Sequence, residues 1–166
     1  MPTPTYTLID SVTLGSSASS VTFSGISATG KGDLVLVVSG AGTPSGDDVR
    51  ILLNGDTAGN YYNVYAYGIG SGSGGSSSNA GTNRIDIFGA WSSNFDNLFV
   101  AQFSDFSATD KQKSVLIRTN GVTSSRVAMS AARWANTSAI TSMEIKFPSY
   151  AFQAATTFHL YQLVSE

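Results

Sequence analysis

Apolar and polar residues alternate with a period of two along most of this chain, and glycine, serine and threonine punctuate almost every break in the pattern. Successive side chains of a strand point to opposite faces, so this alternation marks short strands with one buried face. Tyr6 to Leu14 reads as the first strand and Val21 to Ser24 as the second, joined by Gly15 and small residues. Residues 33–38 carry the aliphatic run Leu34 to Val38, apolar on both faces, as expected of a central strand covered on both sides. Val49 to Leu53 runs into Asn54-Gly55-Asp56, whose first two residues tolerate positive φ and predict a tight turn. Tyr61 to Tyr67, Arg84 to Phe88, Leu98 to Phe106, Ser114 to Arg118, Arg126 to Trp134, Ile140 to Phe147 and Thr156 to Leu163 continue the series. The spacing predicts an all-β chain: a single-domain antiparallel β-sandwich, jelly-roll-like, with about ten short strands. Ser130 to Ala135 carries helix-favouring alanines but no apolar stripe at helical period, so it too reads as strand.

Two segments stand outside this pattern. Residues 1–5 (Met1-Pro2-Thr3-Pro4-Thr5) are expected to form an extended arm, because proline cannot join a central strand. Residues 6–166 then make one domain. Gly68 to Gly81 (GIGSGSGGSSSNAG) is flexible by composition and predicts one long surface loop.

Composition narrows the functional classes. Charged residues make up 12% of the 166 positions, about half the roughly 25% of an ordinary domain. Much of the surface is therefore expected to lie against other subunits. The net charge of −2 and nine scattered Lys and Arg make no basic stripe, which argues against nucleic acid. The longest aliphatic run, Leu34 to Val38, is far short of the ~20 residues of a membrane span. No basic residue or apolar run opens the chain, so a complete, soluble, untargeted protein is expected. With no cysteine there is no disulfide frame, thiolate metal site or thiol nucleophile.

Reactive constellations are scarce. Gly70 to Gly75 matches G-x-G-x-x-G, but a Ser-rich tract follows it where a dinucleotide site needs a helix. His159, the single histidine, has no glycine elbow or acid nearby and reads as a structural strand residue. Asp47-Asp48 and the stretch from Asn54 to Asn60 could offer oxygens to Ca²⁺, though a self-bonded turn explains the second more simply. The eleven acidic residues are spread out and nominate no catalytic pair. No cofactor, metal or catalytic residue is expected. One aromatic pattern is suggestive. Tyr61, Asn63, Tyr65 and Tyr67 share one face of a strand, and with Trp91 they could form a glycan-stacking or protein-contact platform; the same face could equally be core. Ala128, Ser130 and Ala132 ahead of Trp134 permit close approach of another sheet or subunit.

Several of these runs together resemble the small structural proteins of tailed bacteriophages. The opening from Tyr6 to Ile26 (YTLIDSVTLGSSASSVTFSGI), the aliphatic strand after it, Asn54-Gly55-Asp56 with Asn60-Tyr61, and the ending Asn136 to Ser142 ahead of Phe158 to Leu163 carry the likeness. It covers most of the chain and thins from Gly68 to Ser93. Its motifs are turns and strands without a chemical group. The resemblance implies a virion protein, and the small single domain points to a non-enzymatic capsid decoration or cement protein. Its expected partners are itself, as a homotrimer, and the major capsid protein, on the outer surface of the capsid. The alternative is a receptor-recognition module of a tail or head fibre, binding a host surface glycan through Tyr61, Asn63, Tyr65, Tyr67 and Trp91. A polysaccharide hydrolase comes third, with no acid pair or triad to name.

Overall fold

A computed structural model describes residues 5–27, 32–42, 48–89, 91–94, 97–121 and 126–164. Within them lie twelve strands: β1 (Tyr6–Thr13), β2 (Ser20–Ser24), β3 (Gly32–Gly40), β4 (Val49–Leu53), β5 (Tyr61–Ile69), β6 (Gly74–Thr82), β7 (Ile85–Ile87), β8 (Asn97–Phe103), β9 (Lys113–Gly121), β10 (Arg126–Trp134), β11 (Ser142–Lys146) and β12 (Thr157–Val164). There is no helix among the described residues. All pairings are antiparallel. They build one sheet in the order β1-β12-β3-β8-β9-β10-β5-β6 and a second in the order β2-β11-β4-β7. The first four strands of the large sheet, facing the small sheet, reproduce the strand order of a jelly roll. The additional strands β9, β10, β5 and β6 widen one of its sheets. The expected β-sandwich is what forms.

Alternation decides the core. Leu34, Leu36 and Val38 of β3, Phe99, Ala101 and Phe103 of β8, Val115 and Ile117 of β9, and Phe158 and Leu160 of β12 all point inward. They meet Val21, Phe23, Ile51, Leu53, Met143 and Ile145 of the small sheet in one continuous cluster. The small residues Ala128, Ser130 and Ala132 are buried on the inner face of β10, opposite Tyr67, Tyr65 and Asn63 of β5. They make room for neighbouring side chains inside the fold.

Asn54 and Gly55 both take positive φ (53° and 65°), with the Asp56 N–H donating to Leu53 O at 2.9 Å. This is the tight turn the sequence predicts, but it links strands of different sheets instead of closing a hairpin. The Asn54 side chain also donates to Ala139 O at 2.7 Å and accepts from the N–H groups of Thr141 and Ser142. The turn thereby pins the approach to β11.

Three expectations change. The Gly68 to Gly81 segment is no long loop: residues 70–73 turn, and β6 pairs with β5 from Gly68↔Gly74 to Tyr61↔Thr82. Its glycines let the strand come close. A Cβ on Gly74 would stand 2.8 Å from Tyr67 O, and one on Gly75 would stand 2.9 Å from the Tyr67 hydroxyl. β3 is central but not covered on both sides by sheets, because Val35 and Val37 face outward. The strand expected to reach Phe106 stops at Phe103, and Asp105 turns with φ 49°. The proposed arm lies outside the described residues except for Thr5, which is exposed.

Candidate assembly surface

The side of the large sheet facing away from the core carries the least expected surface of the molecule. Registered pairings line up its outward residues across six strands. One row reads Tyr161, Val35, Gln102, Leu116, Ala131, Val64, and the next reads His159, Val37, Val100, Arg118, Met129, Ala66. Leu116, Met129 and Val64 are each more than half exposed, as is Val127 one row further on. The charges on these six strands' outward positions are few: Arg118 near the middle, with Asp33 and Arg133 in a row nearer one end. Ordinary monomers scatter exposed apolar side chains singly; here they are contiguous across strands.

The face is contoured. Val35, Val37 and Val100 form the floor of a hollow of about 250 Å³ walled by Tyr6, Tyr161 and Arg118. Tyr6 stands edge-on to Tyr161 at 6.5 Å. A second hollow of about 260 Å³ opens among Leu98, Val100, Arg118 and Val127, and a third of about 320 Å³ lies along Ala66, Val127 and Met129. The opposite side of the sandwich is unlike it. There the small sheet carries Arg50, Glu144 and Lys146 around a buried Asp86, with Arg84 bonded to Asp86 at 2.7 Å and Lys146 to Glu144 at 3.1 Å.

The residues singled out from the sequence divide between core and rim. Tyr61 is fully buried and stacked on Trp134, its hydroxyl accepting from the Leu53 N–H at 3.1 Å and lying 3.1 Å from Asp56 O. Burial pushes the phenol up to about 12, against a downward pull from the Leu53 N–H; Asp56 adds to the rise. Asn63 is buried too, bonded to Thr82 and to the backbone of Arg84 and Asp86. Tyr65 and Tyr67 are half-buried. Phe88 stacks on Tyr65 at 3.9 Å, and the Arg126 guanidinium lies 4.5 Å from the Tyr67 ring centre. Trp91 is 1% exposed and packs edge-on against Phe99, Phe147 and Phe152, so it cannot stand on a surface platform. The five residues do not form one exposed site.

The Asn54 to Asn60 stretch is hydrogen-bonded within the fold. The Asp56 carboxylate accepts from Trp134 Nε1 at 2.7 Å, Asn60 Nδ2 at 2.9 Å and the Ala58 N–H at 2.9 Å. Partial burial raises its pKa, but the hydrogen bonds outweigh that and leave it below the usual value. Oxygens already facing three N–H donors suit a self-bonded turn and not a cation. Asp47 lies outside the described residues. No group of three metal-ligating acids or histidines occurs among the described residues. His159 lies beside Ser11 and Val37 across the strands. The Gly70 to Gly75 motif forms the tip of the β5–β6 hairpin and leads into a strand, the wrong context for a dinucleotide. Lys113, which sequence reasoning missed, is fully buried and donates to the carbonyls of Ala108, Lys111 and Thr137. Burial lowers its pKa, and Asp110 and Asp105 partly restore it.

No known protein family and no curated protein matches the chain. Among solved structures, an alginate lyase in complex with an alginate tetrasaccharide aligns over 94% of this chain and 81% of its own, at 10% identity and a TM-score of 0.28. A protein of unknown function from Shewanella oneidensis MR-1 aligns over 97% and 77%, at 8% identity and a TM-score of 0.21. Likenesses this distant carry neither fold nor activity to this chain.

Proposed function

We propose that the chain is a non-enzymatic structural protein of a tailed-phage virion that coats and braces the assembled head shell as an oligomer. The observation that supports this most is the contiguous apolar face, since the interfaces of permanent assemblies are more apolar than ordinary surface. The phage context comes from the sequence resemblance, which also implies a trimer. Many symmetric copies, each making a modest contact, stabilise a shell together. Cryo-electron microscopy of purified particles tests the reading: an array of copies over the head is expected, and confinement of the chain to the tail would overturn it.

The rival glycan-binding reading draws on Tyr65 and Tyr67, the two platform residues left partly exposed. Phe88 and Arg126 already pack against them. Tyr67→Ala would abolish cell binding under that reading and leave it unchanged under ours.

A further inference from the structure

We infer that the outward face of the eight-stranded sheet is where copies of this chain pack on one another, related by an axis running along the strands. The inference rests on the assembly reading above and adds which surface the copies share.

Area comes first. The six strands from β12 to β5 stand ~4.8 Å apart and carry four outward rows ~6.7 Å apart, presenting roughly 800 Å². One partner in a standard specific interface contributes about 800 Å². A face of this extent is the right size to be covered by another folded domain.

Chemistry selects the partner. A strongly charged partner would lose hydration against Leu116, Met129 and Val127 without gaining matching ions. A second copy brings the same nearly uncharged face, and it is present at equal concentration whenever the chain is made. The few charges then complement each other. Asp33 on β3 and Arg133 on β10 lie in the same outward row, on opposite sides of the β8–β9 centre line. Rotation about the strand direction keeps rows in step and brings β3 of one copy toward β10 of the next. Each Asp33, whose carboxylate also accepts from Gln102 Nε2 and the Asp105 N–H of its own chain, then faces an Arg133 of the next copy.

Sedimentation velocity of the full chain, without capsids, tests this. The wild type is expected above monomer mass at micromolar concentration. Leu116→Glu should weaken association by about tenfold or more, since it buries an unpaired charge. Leu116 is an exposed strand residue, so the variant's far-ultraviolet circular dichroism should stay native. Arg133→Asp should weaken association as well, because it sets like charges opposite one another across the contact. A monomeric wild type, or an oligomer indifferent to Leu116→Glu, overturns the inference. Shell binding, assayed separately on purified heads, reports the other reading: an intact oligomer that ignores shells sinks the cement role alone, and a monomer that coats shells sinks only the shared face.

Discussion

Tyr61 shows how one side chain ties the two sheets. Its ring packs in the core while its hydroxyl bridges the end of β4 to the turn at Asp56. Tyr61→Phe should cost about 1–2 kcal/mol in urea denaturation at neutral pH, because the Leu53 N–H loses its acceptor. The alkaline limb should change too. The folded protein holds the Tyr61 proton to about 12, whereas the unfolded chain releases it near ~10. Between those values the native state binds more protons, so stability falls as pH rises, and Tyr61→Phe should lose that component of the fall. Asp56 works in the opposite direction. Its lowered pKa stabilises the fold above the ordinary aspartate value, and this contribution disappears as pH drops through the folded value. Asp56→Ala should flatten that part of the acid limb and cost about 1–3 kcal/mol, by orphaning the indole N–H of buried Trp134.

Among the elements, β6 is the one that hydrophobic pattern could not reveal. Gly-Gly-Ser-Ser-Ser-Asn-Ala-Gly carries no alternation, so composition pointed to a loop. What makes it a strand is its neighbour: β5 offers a free edge, and small residues can lie flat against Tyr65 and Tyr67. Gly74→Ala should therefore disrupt the hairpin, since its Cβ would meet the Tyr67 carbonyl. Gly68→Ala should be tolerated, because nothing lies within 4 Å of its Cβ. Amide exchange across residues 66–80 reads the difference: faster exchange in the first variant and protection close to wild type in the second. Equal protection in both would mean that close approach does not determine this pairing.

At the scale of the molecule, the sandwich is lopsided: charged and ion-paired on one side, apolar on the other. If copies cover the apolar side, association and folding are linked by mass action. The melting temperature should then rise with protein concentration across tenfold steps in calorimetry, and the rise should vanish in Leu116→Glu. A melting temperature independent of concentration in the wild type would show that the folded chain is stable with that face bare.

The sequence by itself determined the local code. Eleven of the strand segments and the Asn54-Gly55 turn follow from side-chain period and φ tolerance, which are properties of a few adjacent residues. So does the absence of thiol chemistry. Burial was not legible in it. Alternation says that Val35 and Leu36 lie on opposite faces, or Leu116 and Ile117, without saying which face another sheet will cover when both are apolar. Nor could it tell that Tyr61 and Trp91 are interior while Tyr65 and Tyr67 reach the rim, because that depends on where the smaller sheet ends. Only the tertiary structure decided these points: two sheets of unequal width leave one face enclosed and the other open, and width is set by long-range pairings such as β5 with β10 that no local pattern encodes.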